Sequence, residues 1–125
     1  MICINKACSD NDGFTTFYKN DKYSTLHSIK INKGGESQKI ETCKLDTILS
    51  TLNVGNVKLI KIDVEGAELD VIKGAIETIR RYQPNIIFEA WNEKYLLSIS
   101  KVLKKYKYEV NEIKEACYLA VKAHF

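Results

Sequence analysis

The stretch KLIKIDVEGAELDVIKGA, Lys58 to Ala75, decides how this chain folds. In KLIKIDV the apolar residues Leu59, Ile60, Ile62 and Val64 make a nearly continuous run, the pattern of a strand buried on both faces. Asp63 then stands at the carboxyl end of that strand. Glu65 and Gly66 belong to the turn, where a glycine permits positive φ or a close approach of strand and helix. Glu68 and Asp70 fall in the first turn of a helix, where negative charge complements the exposed amides and the macrodipole. Leu69, Ile72, Ile76 and Ile79 form one apolar stripe along that helix, Arg80 and Arg81 lie near its carboxyl end, and Pro84 blocks continuation. Gly74, inside the helix, costs roughly 1 kcal/mol against alanine, so close packing of the helix on the sheet is its best explanation.

Downstream, NIIFEA, Asn85 to Ala90, reads as a second buried strand ending at Glu89. Lys94 to Lys107 reads as a second long helix, with Leu96, Ile99, Leu103 and Tyr106 on one face and lysines on the other. YEVNEI and CYLAV look like two closing strands, and the short link from Lys114 to Ala116 makes them antiparallel. Upstream, Ile2 to Ala7 has strand character, SDNDG is a dense turn cluster, and FTTFY, Phe14 to Tyr18, is aromatic and β-branched like a strand. Lys19 to Lys39 is expected to be the most mobile part, loop-like apart from a short strand in STLHSIKI. IETCKL alternates weakly, LDTILSTL has helical spacing, and Asn53 to Asn56 turns the chain into the quoted stretch. Strand, helix, strand, helix, strand is the grammar of an α/β fold with a mostly parallel sheet, closed here by an antiparallel C-terminal hairpin.

A chain of 125 residues is at most one domain, with a core but few residues to spare. Hydrophobic residues at 45% and charged residues at 28% are globular values and exclude a disordered tail. The net charge of +3 is spread over single lysines without a basic run, so no nucleic-acid partner is expected. Cys3, Cys8, Cys43 and Cys117 form no CxxC pair, and His27 and His124 do not flank them at zinc spacing. Reduced thiols in a cytoplasmic protein are therefore expected, with no metal and no membrane. MICINKAC is not a signal peptide, and no stretch approaches the roughly 18 apolar residues of a membrane helix.

Ligands of open α/β sheets gather at the carboxyl ends of parallel strands, where Asp63 and Glu89 are expected. Such a strand-end acid positions an acceptor, acts as a base, holds a cation, or simply bonds to loop amides. Glu65 either reaches substrate or bonds to its own turn; Glu68 is read as a helix-start residue. Asp63 and Glu89 either converge, sharing an ion or the work of orienting an acceptor, or end in solvent. Trp91 and Asn92 line an acceptor pocket or, for Trp91, belong to the core.

IKIDVEGAELDVIKGA closely resembles the signature of the FkbM family of S-adenosylmethionine-dependent methyltransferases. INKACSDNDG, TCKLDTIL and PNIIFE are similar to three flanking segments of that family, so the resemblance covers roughly residues 4 to 90. It implies a Rossmann-like class I methyltransferase fold with strand order 3-2-1-4-5-7-6 and S-adenosylmethionine as cofactor. By the same resemblance Ala7, Cys8, Ser9 and Asp63 meet the cofactor, Asp63, Glu65 and Glu89 are the catalytic candidates, and the acceptor is a hydroxyl of a sugar, glycan or small metabolite. The family's opening DIGAN-like turn and its second, acid-terminated strand have no counterpart here, so residues 1–125 are expected to form a partial domain lacking two strands. Its exposed sheet edge is expected to favour self-association. A truncated, non-catalytic binding or assembly module is the alternative, and a metal-dependent phosphoryl-transfer enzyme would explain the acids without the motif.

Overall fold

A computed structural model of the chain describes residues 1–19 and 36–124. The elements are β1 (Ala7–Cys8), β2 (Gly13–Tyr18), β3 (Ser37–Cys43), α1 (Leu45–Leu52), β4 (Leu59–Lys61), α2 (Glu68–Lys73), α3 (Ile76–Tyr82), β5 (Asn85–Glu89), α4 (Glu93–Lys104), β6 (Tyr108–Lys114) and β7 (Cys117–Lys122). STLHSIKI, and with it most of the loop expected to be mobile, lies outside the described residues.

Among the described residues the strands form two mixed sheets, ordered β1-β3-β2 and β4-β5-β7-β6. In the larger sheet β4 and β5 are parallel, whereas β5 with β7 and β6 with β7 are antiparallel. The expected antiparallel C-terminal hairpin is present, and the mostly parallel sheet is found in part: β4, β5 and β6 run the same way, but β7 between β5 and β6 makes the sheet mixed. The hairpin at Glu115 and Ala116 reverses the chain so tightly that β7 runs against β6, and β7 then inserts beside β5 against it as well. The order β4-β5-β7-β6 is the second half of the order that the family resemblance implies.

Three boundaries differ from the sequence reading. Ile2 to Lys6 is exposed and non-regular, because β3 offers a parallel partner only to Ala7 and Cys8. β3 starts at Ser37 because it pairs antiparallel along the whole of β2, Tyr18 opposite Ser37 and Gly13 opposite Thr42. β4 is short, and Leu59 is 55% exposed, not buried on both faces, because β5 is its single neighbour among the described residues.

The helix predicted from Glu68 onward is two helices, and Asp46 is the reason. The Gly74 carbonyl accepts the Asp46 N–H (3.0 Å), while Asp46 Oδ1 accepts the Thr78 N–H (2.8 Å) and hydroxyl (2.6 Å) and Oδ2 accepts the Glu77 N–H (3.0 Å). Asp46 thus stands in the place of the helical carbonyls that Glu77 and Thr78 would otherwise reach, and it caps α3, whose own N-cap Ala75 has no side chain to do so. Asp12 ties down the start of α1, accepting the N–H of its N-cap Lys44 (3.0 Å) and the Thr47 hydroxyl (2.9 Å).

One core joins the elements. Ile62, Ile72, Ile79, Ile86, Phe88, Ile99, Leu103 and Ala120 are buried together, and Cys8 and Leu45 pack against them from the N-terminal part. Tyr108 adds its ring to this core and its buried hydroxyl donates to the Pro84 carbonyl (2.7 Å), tying the C-terminal hairpin to the start of β5.

Candidate functional site

The three acids expected to carry chemistry come together. Single carboxylate oxygens of Asp63, Glu65 and Glu89 lie within 4.8 Å of one another. Asp63 is exposed, two residues beyond the end of β4; Glu65 is half-buried in the following turn; Glu89 is the half-buried last residue of β5. Parallel pairing of β4 with β5 explains the convergence, since it brings both carboxyl ends to the same end of the sheet. Three such charges repel one another by on the order of 1 kcal/mol per pair even at the dielectric of water. Burial, and then the charges of Asp63, Glu89 and Glu68, push the Glu65 carboxyl above its usual range. Lys61 Nζ lies 3.8 Å from Asp63, an exposed pair of little energetic weight.

A rigid turn holds this arrangement. Glu65 (φ 50°) and Gly66 (φ 101°) are both left-handed, the second as expected of glycine. Glu68, 3% exposed, accepts the Gly66 N–H with both oxygens (3.1 and 3.3 Å). Tyr95 on α4 clamps the turn from outside. Its hydroxyl accepts the Leu69 N–H (3.0 Å) and lies within donating reach of the Gly66 carbonyl (3.0 Å) and Glu68 (3.2 Å), so its one proton must choose between them. Burial, the first cause, and the nearby Glu68 raise the Tyr95 hydroxyl to about 12, so it stays protonated. Tyr95 was not singled out from sequence; its only signal was a tyrosine one helical turn before Ile99 in the apolar stripe of α4. Glu68 is thereby confirmed as a helix-start residue, with a second task in bracing the turn.

Two cavities flank the acids. One, of about 780 Å³, lies between the β1–β3 edge and the turn, and Lys6, Ala7, Cys8, Glu41, Asp63 and Glu65 are among its walls. Ala7, Cys8 and Asp63, expected on the cofactor side, share it. Ser9 is placed elsewhere: it is 5% exposed and does not line the cavity, and its carbonyl oxygen would stand 1.9 Å from a Cβ added at Gly74. Burial and the neighbouring Cys43 raise the Cys8 thiol to about 11, so Cys8 is a neutral wall and not a nucleophile. All four cysteines are free thiols. The second cavity, of about 460 Å³, opens on the other side and includes Glu65, Glu89, Trp91 and Asn92. Trp91 is 71% exposed, so it is not core. Glu65 lines both cavities. No helix among the described residues is long and apolar enough to cross a membrane.

The chain is 27% identical over 103 residues to a protein of Beauveria bassiana (strain ARSEF 2860) named Methyltransferase 1, covering 76% of this chain and 41% of that one. The chain therefore spans less than half the length of this relative. In fold it resembles the crystal structure of a methyltransferase FkbM from Methylobacillus flagellatus KT, with a TM-score of 0.53 and 22% identity over 66% of this chain and 23% of that one. Residues 2–110 match the family described as Methyltransferase FkbM domain. With that match spanning most of its length, the chain belongs to the FkbM methyltransferase domain family.

Proposed function

We propose that the chain is the C-terminal part of an S-adenosylmethionine-dependent methyltransferase that methylates a hydroxyl of a sugar, glycan or small metabolite in the cytoplasm. The observation that carries this reading is Glu65, which stands where two cavities meet, as a transfer between two bound molecules requires. The larger cavity fits the cofactor in size, since small-molecule sites span roughly 300–1,000 Å³. Ala7 and Cys8 are on an edge strand, which leaves outer backbone groups for the edge of an adenine ring. Asp63 shares that cavity and supplies a carboxylate beside Glu65. When bound, the cofactor supplies an electrophilic methyl group on a sulfonium sulfur.

The chain's own residues do the rest. In-line transfer needs the acceptor oxygen about 3–3.5 Å from the methyl carbon while its proton is removed. Glu65, its carboxyl pushed above the usual range and common to both cavities, would take that proton as the new O–C bond forms and the methyl group leaves the sulfur. Asp63 orients the acceptor from the donor side and Glu89 from the acceptor side. In an active preparation, Glu65→Gln is expected to lower turnover by ~100- to 10,000-fold, the loss typical of a removed general base. Turnover within about a factor of two of wild type would remove Glu65 from the chemistry.

A second reading, a non-catalytic binding or assembly module, draws support from one feature. β4, which leads to the acids, is an edge strand among the described residues and has no neighbour on its outer side. Cofactor titration of an active preparation, not of the 125-residue chain by itself, separates the two readings, because only the first requires saturable S-adenosylmethionine binding there. The three carboxylates would also suit metal-dependent phosphoryl transfer, but family membership lends that reading no support.

A further inference from the structure

The ring and the hydroxyl of Tyr95 do different things. The ring is half-buried and packs against the core, which a phenylalanine would do equally well. The hydroxyl reaches the turn after β4, accepting the Leu69 N–H (3.0 Å) and standing 3.0 Å from the Gly66 carbonyl and 3.2 Å from Glu68 Oε2. Glu68 in turn accepts the Gly66 N–H (3.1 Å). A peptide unit is planar, so a bond to the Gly66 N–H fixes ψ of Glu65, and a bond to the Gly66 carbonyl fixes the next unit. Whichever acceptor takes the Tyr95 proton, Gly66 is held, either directly at its carbonyl or through the Glu68 that already holds its N–H. The holder is itself fixed, because Asn92 Oδ1 accepts the Tyr95 N–H (2.8 Å) at the capped start of α4.

From this geometry we infer that Tyr95 is a positioning residue: its hydroxyl, acting through Gly66 and Glu68, keeps the Glu65 carboxylate where the two cavities meet. The inference rests on the proposed function for what Glu65 does there. That position needs holding for two reasons. Glu65 is at φ 50°, which disfavours a residue with a Cβ and persists only where the surroundings enforce it. One of its oxygens also lies within 4.8 Å of those of Asp63 and Glu89, and like charges at that distance push it away toward solvent. Tyr95 opposes both from α4, whose first turn lines the smaller cavity together with Glu65. The charged groups around Glu65 are Asp63, Glu68 and Glu89, with Lys61 beside Asp63. Lys6, Lys39 and Glu41 stand on the wall of the larger cavity and Lys94 on that of the smaller. Loss of the neutral Tyr95 hydroxyl alters none of these charges, so a changed Glu65 would report its displacement.

Tyr95→Phe removes the hydroxyl and keeps the ring. In an active preparation it is expected to lower kcat by about 10- to 100-fold, the scale of a reacting group displaced by about an ångström, with each KM within about threefold of wild type. Added to Glu65→Gln it should cost nothing further, because residues that act as one unit are not additive. A loss of packing alone would add in full. In any folded preparation, carbon NMR of labelled glutamate carboxyls should show the Glu65 titration of Tyr95→Phe moved down from its raised value toward 4.5. In the wild-type chain the Gly66 and Leu69 amides should exchange slowly with solvent, a measurement that needs no variant. With Glu65→Gln impaired, a Tyr95→Phe kcat within about twofold of wild type or a fully additive loss in the double variant would overturn the inference. So would an unmoved Glu65 titration or fast exchange at both amides. If Glu65→Gln leaves turnover intact, the proposed base falls, and the NMR titration, which needs no activity, still decides whether Tyr95 positions Glu65.

Discussion

Glu65 adopts φ 50°, a left-handed conformation that side chains with a Cβ seldom take, and it does so with a carboxyl raised above its usual range. The turn, held by Glu68 and Tyr95, sets Glu65 half-buried beside Asp63 and Glu89, and burial first and then those charges raise its carboxyl. A carboxyl with a raised folded-state value binds its proton more tightly in the folded chain than in the unfolded one. Stability is therefore lost as pH rises from about the ordinary value of 4.5 through the folded-state value. Glu65→Gln should flatten that part of the stability–pH curve, measured by urea unfolding at a series of pH values; an unchanged slope would mean that other groups set it. Asp12 has the opposite sign. The Lys44 amide, and then the Thr47 hydroxyl, hold its carboxyl below its usual range, so its contribution is lost as pH falls. Motif spacing located Asp63, Glu65 and Glu89 from sequence because each lies at a strand end or in the turn that follows it. It did not locate Tyr95, whose partners lie 26 to 29 residues away.

Among elements, the junction of α2 and α3 is the most instructive. Gly74 has φ −78°, so left-handed freedom is not the reason for a glycine there. The reason is contact: a Cβ would stand 1.9 Å from the Ser9 carbonyl oxygen and 3.0 Å from its carbon, both backbone. Gly74→Ala should destabilise the fold by about 3 kcal/mol despite the better helix propensity of alanine, as overpacking does. A loss under about 0.5 kcal/mol in urea unfolding would show that β1 simply moves aside. Asp46 makes the same junction from α1. Asp46→Ala leaves the Thr78 and Glu77 amides without their acceptor and should cost about 2 kcal/mol, the upper part of the range for a lost cap. Circular dichroism should then show whether α3 frays first. The glycine could be read from sequence as a close approach, because a helix tolerates glycine poorly without such a reason. The break itself could not, since Leu69, Ile72, Ile76 and Ile79 keep one stripe across it.

On the scale of the whole molecule, the exposed edge of β4 is the dominant feature. Leu59 is 55% exposed on a strand that has β5 as its single neighbour among the described residues, and an edge of this kind is a template for pairing with another chain. The 125-residue chain by itself is expected to dimerise or aggregate and to bind S-adenosylmethionine negligibly. Light scattering and calorimetric titration check the two halves separately. A monodisperse monomer with micromolar cofactor affinity would show that the sheet and the larger cavity are complete as they stand.

Local periodicity and turn chemistry were enough for α1, α4, β5 and the β6–β7 hairpin, because each of these depends on residues close in the chain. The DVEG turn and the presence of acids at strand ends were legible for the same reason. The place of β7 beside β5 and the open edge at β4 were implied by the family resemblance and not by the local pattern, and tertiary structure alone decided that Asp46 divides one helix into two. It also decided that Glu65 lines two cavities at once. These facts join residues tens of positions apart through hydrogen bonds and excluded volume, and neither quantity is written in the local pattern of a single sequence.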